Sequence, residues 1–385
     1  MRMTYLAPSF PPQLGGMGTA CYYTANELGA RHDVRVLLPQ RPVAYQTGRY
    51  RLETFRPWLS YGYADAYPFI AKKLQDDDIV HLYYPYFGVA EFLPLLKTRR
   101  QRPRIILHYQ MDMVGRGVTK FFGQAQRYLC QPWLFRAVDA IFVLSEDYAR
   151  HSRFSRYWEL YRDKIYVVPN GVDINKFVPA PIDLFLRQQL NLSADDFVVF
   201  TAQALDQQHY FKGIDILLSA VKILKERQPD IPLVVVIAGD GDLRVSYQNL
   251  ANLYKITEQI KFVGRVGHDD LPRYYQLSDL VVVPSTANTE SFSITAAEAM
   301  ACAKPVLVSD WPGLRGTIED GLSGFVLASG QAEIWAQKIG DCYQQQPLLV
   351  KMGLAARAKA ESQYDWANIG RQVEKIYRDI TKRSR

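Results

Sequence analysis

The 385-residue sequence contains few cysteines and no long apolar segment. No apolar run approaches the ~18 residues that a membrane span needs, and the N-terminus reaches prolines too early for a signal peptide. The four cysteines form no Cys-x-x-Cys pair, which argues against a disulfide framework or a zinc site. They are Cys21, Cys130, Cys302 and Cys342. These absences predict a cytoplasmic protein.

The charge of the chain is unevenly distributed. The net charge is +7, yet residues 1–180 carry 24 Lys and Arg against 15 Asp and Glu, which leaves +9 there and −2 in the remainder. A basic N-terminal half could attract an anionic membrane surface or an acidic acceptor. Nucleic acid is the competing partner, but no recognised nucleic-acid motif is present, so we expect no nucleic acid to bind.

Short apolar segments alternate with amphipathic helical segments along the chain, which predicts an α/β protein with parallel sheets. The length predicts two domains, and the Asn-Gly and prolines around 170–181 mark their boundary. Each half would form one Rossmann-like sheet. The predicted strands are 3–7, 34–38, 79–82, 104–107, 140–144 and 165–168 in the first half and 197–201, 233–237, 260–263, 280–283 and 305–308 in the second.

The segment Glu290 to Glu298 is the most informative part of the sequence. The buried strand pattern before it stops at Pro284, and a run of helix formers begins near Ile294. Glu290 is therefore predicted in a loop and Glu298 on the first turns of a helix. The start of that helix offers unpaired N–H groups and the positive end of the helix dipole, which suit a phosphate. Because carboxylates do not bind phosphate, the two glutamates must bind what flanks it, and sugar hydroxyls fit.

The same segment resembles the E-x7-E signature of the retaining nucleotide-sugar glycosyltransferases of family 4, which have the GT-B fold. Further segments resemble the family in the expected order and cover nearly all of the C-terminal half. They are 167–173 with Phe177, 211–218, 238–241, 263–265 with Tyr275 and Asp279, and 321–324. The similarity is weaker in the N-terminal half, where such enzymes bind varied acceptors.

This resemblance implies two Rossmann-like domains with parallel sheets facing a central cleft. Residues 1–172 would bind the acceptor, with a C-terminal helix at 365–385 crossing back to that domain. Residues 173–364 would bind the nucleotide sugar. The fold generally needs no metal, since lysine, arginine and helix dipoles replace the cation at the diphosphate, so we expect no cofactor.

The resemblance also implies roles for residues of the donor site. Glu298 would accept hydrogen bonds from the ribose, Glu290 would contact the donor sugar, and Lys212 would stabilise the departing diphosphate. The helix start, comprising Ser291, Phe292, Ser293 and Ile294, would share that last role.

Four further residues complete the predicted donor site. Gly15 and Gly16 match the paired glycines of the family, although the dehydrogenase fingerprint G-x-G-x-x-G fails at Cys21. Gln203 stands near the position where many members carry an arginine. Either Arg265 compensates for that missing charge or Lys212 and the helix dipoles bind the diphosphate alone.

Two histidines follow similar strand patterns in the first half. His108 lies just past a predicted strand, at the end where ligands of open α/β sheets bind, and it matches the family histidine near the transferred sugar. We predict a catalytic role for His108 and a structural role for His81. The acidic run 76–78 precedes a strand, at the wrong end for a ligand site, and is interpreted as a solvated turn rather than a metal site.

The stretch 116–136 mixes cations with aromatic residues, and the run 58–69 is rich in aromatic residues. Each is consistent with docking on a membrane interface or with helices that pack their aromatics inward. The sequence leaves both alternatives open, with an expected location in the cytoplasm or peripherally on the inner face of the membrane.

The predicted function is a retaining transfer of a sugar from a UDP- or GDP-sugar to a glycan or lipid-linked acceptor. No enzymic nucleophile stands out, so a same-face displacement assisted by the leaving phosphate is favoured. The alternatives are a nucleotide-sugar epimerase on the same fold and a sugar-binding protein with a decayed active site. The retained Glu290, Lys212 and Glu298 argue against the last of these.

Overall fold

A computed structural model describes residues 1–12, 15–41, 44–61, 64–98, 102–112, 124 and 126–382. The chain divides into two compact units, Met1–Asn170 with Trp366–Arg385 and Gly171–Asp365. The sequence-based boundaries fall at 172/173 and 364/365, beside these changeovers. Within the described ranges, no helix is both long enough and apolar enough to cross a membrane.

The first unit contains a seven-stranded parallel sheet in the order β3-β2-β1-β6-β7-β8-β9 and a separate antiparallel pair, β4-β5. Its central strands are buried on both faces, which explains their near-continuous apolar sequences. The strands are β1 (Arg2–Leu6), β2 (Asp33–Pro39), β3 (Arg51–Phe55), β4 (Leu59–Tyr61), β5 (Ala64–Ala66), β6 (Ile79–Tyr84), β7 (Arg104–Tyr109), β8 (Ala140–Val143) and β9 (Ile165–Val167).

The second unit contains a six-stranded parallel sheet in the order β12-β11-β10-β13-β14-β15. The chain proceeds outward in one direction from β10 to β12 and in the other from β13 to β15. The strand order therefore reverses between β10 and β13, where open α/β sheets bind their ligands. The strands are β10 (Phe197–Ala202), β11 (Leu233–Ala238), β12 (Ile260–Gly264), β13 (Leu280–Val283), β14 (Val306–Ser309) and β15 (Gly324–Leu327).

Helices cover both faces of the two sheets, and the predicted α/β class with one parallel sheet per domain is confirmed. The α-helices are α1 (Gly16–Gly29), α2 (Ile70–Lys73), α3 (Gln131–Ala137), α4 (Glu146–His151), α5 (Ser155–Trp158), α6 (Leu184–Gln189), α7 (Ile214–Arg227), α8 (Arg244–Leu253), α9 (Leu271–Leu277), α10 (Ile294–Ala301), α11 (Pro312–Arg315), α12 (Ala332–Gln344), α13 (Gln346–Lys359) and α14 (Trp366–Lys382). Short 3-10 or π segments are Ala90–Thr98, Gln126–Cys130, Arg162–Lys164, Gln207–Lys212, Thr257–Gln259 and Ala360–Tyr364.

The last helix, α14, belongs to the first unit. Its buried residues recur every three or four positions and pack with β1, β6 and α1 in one apolar cluster. Trp366 stacks on Tyr23 of α1 at a ring separation of 5.3 Å. Tyr377, fully buried, lies against the side chains of β1 and β6. The final helix therefore completes the core of the first unit.

Candidate functional site

The N-terminus of α10 lies at the point where the order of the second sheet reverses. Ser293 caps the helix, and its Oγ accepts a hydrogen bond from the Ala296 N–H at 3.1 Å. The Thr295 hydroxyl donates to the Ala202 carbonyl at 2.9 Å, which holds the helix start against the end of β10. The remaining N–H groups of the first turn and the positive dipole end form a site suited to an anion.

Glu290, in the loop before α10, is held by two partners. Its Oε1 accepts a hydrogen bond from the Lys212 ammonium, and its Oε2 accepts one from the Ser285 hydroxyl. The Lys212 side chain is 18% exposed and that of Glu290 is 10% exposed, so the pair is mostly shielded from water. Glu290 is therefore the anion that pairs with Lys212 in this structure.

Two glycines allow the segments around this ion pair to approach closely. Gly213 follows Lys212 in the left-handed region at φ 72°, and an added Cβ would lie 1.9 Å from the Pro284 carbonyl oxygen. At Gly313, an added Cβ would lie 1.7 Å from the carbonyl oxygen of Glu290. Neither position tolerates a side chain without displacing the backbone that carries the ion pair.

Glu298, on α10, is buried and has one firm partner. The Tyr275 hydroxyl donates to Glu298 Oε2 at 2.7 Å. Burial, with the adjacent Glu298 charge, raises the pKa of Tyr275 well above its usual value, so the phenol stays protonated and keeps donating. The other carboxylate oxygen, Oε1, lies 3.7 Å from Nε2 of His268, which is too long for a hydrogen bond.

The remaining predicted donor residues of the second unit differ in exposure. Gln203, just after β10, is buried, and its Nε2 has no hydrogen-bond partner among the described residues. An unpaired buried amide has a cost of ~1–3 kcal/mol, which a ligand oxygen would remove. Arg265, just after β12, is exposed and forms no ion pair within the described ranges. Phe292 is partly buried and packs edge-on against Tyr364 at 5.3 Å.

Ser285 and His268 are site neighbours that the sequence analysis missed. Ser285 follows the end of β13 by two residues, and His268 follows the end of β12 by four. Polar residues shortly after strands of a parallel sheet lie at its ligand-binding edge. That positional signal was available for both residues in the sequence.

Two residues of the predicted donor site, Gly15 and Gly16, lie at the start of α1. Gly15 caps α1, and Gly16 is its first residue. Both belong to the first unit, whereas the other predicted donor residues belong to the second.

His108, at the end of β7, is part of a buried polar chain. Its Nδ1 lies 3.3 Å from Nε2 of His81, whose Nδ1 is hydrogen-bonded to the Tyr377 hydroxyl. The Tyr377 and Tyr5 hydroxyls are 2.9 Å apart. Nε2 of His108 makes no hydrogen bond of normal geometry among the described residues. The structural role predicted for His81 fits this placement.

Burial sets the charge state of these histidines. It lowers the pKa of His108 to about 3, against a smaller opposing effect of the Val168 backbone. It also lowers the pKa of His81 well below its usual value, and His108 adds to that shift. Both rings are therefore neutral in the folded protein at pH 7.

The interpretation of residues 76–78 as a solvated turn is wrong for Asp77. Its side chain is buried, accepts a hydrogen bond from the Thr4 hydroxyl at 2.8 Å and pairs with Arg35 at 3.0 Å. A sequence pattern of three acidic residues does not show which of them turns inward. Across the part of the chain that the structure describes, no three His, Cys, Asp or Glu side chains are grouped to hold a metal ion.

Much of the cation-rich stretch 116–136 lies outside the described residues, since 113–123 and 125 are not described. Within the described part, Phe135 is buried, while Tyr128 and Trp133 are 62% and 48% exposed. Trp58 and Phe69, from the run 58–69, are also exposed, at 79% and 59%. Phe135 therefore packs inward, as one of the two alternatives predicted. Tyr128, Trp133, Trp58 and Phe69 do not.

Two family descriptions match the chain. "Glycosyltransferase Family 4" matches residues 14–176, and "Glycosyl transferases group 1" matches residues 183–359. A D-inositol 3-phosphate glycosyltransferase of Corynebacterium aurimucosum is 31% identical over 317 residues, which cover 79% of this chain and 72% of the relative. The chain belongs to glycosyltransferase family 4. A second relative, from Streptomyces scabiei and of the same description, is 29% identical over 66% of this chain and 56% of its own length.

Solved structures share the fold of this glycosyltransferase. Anabaena HepE in complex with UDP matches with a TM-score of 0.77 at 21% identity, covering 98% of this chain and 100% of that one. Sucrose-phosphate synthase of Thermosynechococcus elongatus matches with a TM-score of 0.76 at 21% identity, covering 100% of both chains. The GT-B fold that the sequence resemblance implied is confirmed.

Proposed function

We propose that this glycosyltransferase transfers a sugar from a nucleotide-diphosphate sugar to a glycan or lipid-linked acceptor, with retention of anomeric configuration. The observation that carries the proposal is the convergence of Lys212, Glu290 and the N-terminus of α10 where the sheet order reverses. A cation and a helix N-terminus suit a diphosphate, and a carboxylate beside them suits sugar hydroxyls.

The residues have distinct proposed roles. Glu298 accepts hydrogen bonds from the ribose, and Lys212 with the start of α10 stabilises the charge that grows on the leaving diphosphate. Glu290 orients the transferred sugar, and the neutral His108 hydrogen-bonds a hydroxyl of that sugar. The first unit binds the acceptor.

The proposed displacement occurs on one face of the sugar. The bond between the anomeric carbon and the phosphate oxygen breaks, and the acceptor oxygen bonds to that carbon from the same side. The acceptor proton passes to the departing phosphate oxygen. This course needs no enzymic nucleophile, and Lys212 contributes most when the phosphate carries its full charge.

A ligand screen followed by product analysis tests the proposal. Because a ligand of the folded state raises thermal stability, UDP-, GDP- and ADP-sugars are compared by thermal shift. UDP-glucose is the first choice, since HepE was crystallised with it. The anomeric proton coupling in the product then reports retention or inversion.

Three outcomes are distinguishable. Product with the donor's anomeric configuration supports the proposal, and inverted product contradicts the retaining mechanism. Conversion of the nucleotide sugar without any acceptor would identify an epimerase instead. Lys212→Ala should suppress the transfer, whereas the exposed Lys351→Ala serves as a matched control.

A further inference from the structure

An unfilled hydrogen-bonding position lies beside Glu298. Tyr275 occupies Oε2, but Oε1 makes no hydrogen bond among the described residues. The nearest ring nitrogen, Nε2 of His268, is 3.7 Å away. The two atoms therefore lie close together without a hydrogen bond. The Glu298 side chain is buried, whereas the His268 side chain is 38% exposed.

Lys176 determines which nitrogen of His268 carries the proton. The Lys176 ammonium lies 2.7 Å from Nδ1 of His268 and 2.6 Å from Oδ1 of Asp269. An ammonium only donates hydrogen bonds, so Nδ1 must accept and the ring proton must lie on Nε2. The ring also packs edge-on against Phe177 at 5.5 Å, which limits its rotation. His268 therefore presents an N–H donor towards Glu298.

We propose that His268 is a further donor-binding residue that, together with Glu298, binds one ribose hydroxyl of the nucleotide. The inference rests on the proposed function. A hydroxyl can donate to Glu298 Oε1 and accept from His268 Nε2–H at once, and an oxygen about 2.8 Å from both atoms is compatible with their separation. Lys176 acts through His268 and is a positioning residue.

The pairing of one acceptor with one donor selects the chemistry of the ligand group. A carbonyl oxygen cannot donate to Glu298, and an ammonium group cannot accept from His268. A hydroxyl satisfies both. The site should therefore discriminate against a nucleotide that lacks the bridged hydroxyl, because its loss leaves both partners unpaired.

The first experiment measures the tautomer directly. Long-range proton–nitrogen NMR correlation of the wild-type protein should show His268 protonated on Nε2 alone. Lys176→Met should abolish this preference and yield a mixture of tautomers. A purely structural lysine would leave the tautomer unchanged, so an unaltered spectrum in Lys176→Met, or an Nδ1-protonated ring in the wild type, overturns the positioning role.

The second experiment measures recognition of the hydroxyl by calorimetry with UDP, 2′-deoxy-UDP and 3′-deoxy-UDP, and with the GDP and ADP series in parallel. His268→Phe keeps the ring packing and removes the donor, so it should weaken nucleotide binding about tenfold. It should also lose most of the discrimination between the nucleotide and one deoxy form. His268→Gln, whose amide can donate, should retain part of both. His151→Phe, a substitution of an exposed histidine beside Asp147, is the control.

The outcomes separate this inference from the proposed function. Wild-type protein that binds none of these nucleotides would overturn both. Wild-type protein that binds, with unchanged affinity and unchanged discrimination in His268→Phe, would overturn the inference alone. Should His268→Phe not fold, His268→Leu, which also lacks a donor, replaces it in the same comparison with wild type.

Discussion

At the residue scale, Lys212 and Glu290 form an ion pair, so each charge already has a partner before a donor binds. Both side chains are mostly shielded from water, and Ser285 occupies the second oxygen of Glu290. A diphosphate that binds Lys212 must therefore compete with Glu290 for the ammonium. Binding of the diphosphate should free Glu290 from Lys212 so that Glu290 can contact the sugar. Recognition of the diphosphate and recognition of the sugar would then be coupled.

We predict that Lys212→Ala lowers turnover far more than it lowers donor affinity. The ammonium should contribute most when the diphosphate leaves, and removal of such a group typically raises the barrier by about 2.7–4 kcal/mol. Steady-state kinetics with the donor varied measure kcat and KM separately. Lys351→Ala is the exposed control. Turnover near the wild-type value in Lys212→Ala would show that another cation carries the leaving group.

We predict that Glu298→Ala weakens binding of the free nucleotide by about 1–3 kcal/mol, because ribose hydroxyls lose their acceptor. Calorimetry measures the affinity. The substitution also leaves the Tyr275 hydroxyl without its partner, so Tyr275→Phe is the matched control, which removes that contact and keeps the carboxylate. Equal affinities in Glu298→Ala and wild type would refute the ribose role.

The sequence permitted prediction of where these residues lie relative to strand ends, but not of what they contact. Glu290 and Lys212 are 78 positions apart, and their contact depends on the close approach of backbone at Gly213. Tyr275 was part of the family pattern, yet its bond to Glu298 across 23 positions follows only from the packing of α9 on α10.

At the scale of elements, the sequence analysis predicted the buried central strands, such as β11, and also the edge strands β9 and β12. The two missed strands of the main sheets lie at sheet edges. β3 alternates polar and partly exposed residues, and β15 has four residues beginning with a glycine. Neither β3 nor β15 has the continuous run of buried apolar residues that marks a central strand.

The buried histidines of β6 and β7 should make stability depend on pH. In the folded protein His81 and His108 remain neutral, with the pKa of His108 lowered to about 3, whereas in the unfolded chain each protonates near the usual 6.5. Between these values the unfolded state binds more protons. The free energy of unfolding is therefore full above about pH 6.5 and falls as the pH decreases towards 3.

We predict that wild-type protein loses about 1.4 kcal/mol per buried histidine between pH 7.5 and pH 5.5, and that His108→Gln loses correspondingly less. Urea denaturation at both pH values gives the free energies. His151→Gln, at an exposed site, should retain the wild-type dependence. An identical loss in His108→Gln and wild type would contradict neutral burial of His108.

At the scale of the whole molecule, we predict that transfer continues in excess chelator. Lys212 and the N-terminus of α10 offer the positive charge that a metal would otherwise supply. Activity is measured after dialysis against chelator, beside a magnesium-dependent enzyme that confirms removal of the metal. Complete loss of activity, restored by magnesium or manganese, would refute the prediction.

The charge distribution suggests that the acceptor is presented at a membrane. The basic half of the sequence, with +9 against −2, includes the exposed aromatic residues Trp58, Phe69, Tyr128 and Trp133. Each cation near an anionic surface contributes about 1 kcal/mol, and this attraction fades within a Debye length as salt increases. Aromatic side chains beside cations suit the headgroup region. The attraction of the cations and the placement of the aromatic side chains both favour reversible docking through the first unit.

We therefore predict that the protein floats with anionic vesicles at low salt and is released at high salt. Substitution of Arg116, Lys120 and Arg127 by glutamine should weaken flotation without changing nucleotide affinity, since none of the three is a predicted donor-binding residue. A triple glutamine variant at exposed cations of the second unit, Lys225, Arg227 and Lys351, is the control. If wild-type protein stays unbound at low salt while it glycosylates a soluble acceptor fully, the basic half serves another partner and the membrane proposal fails.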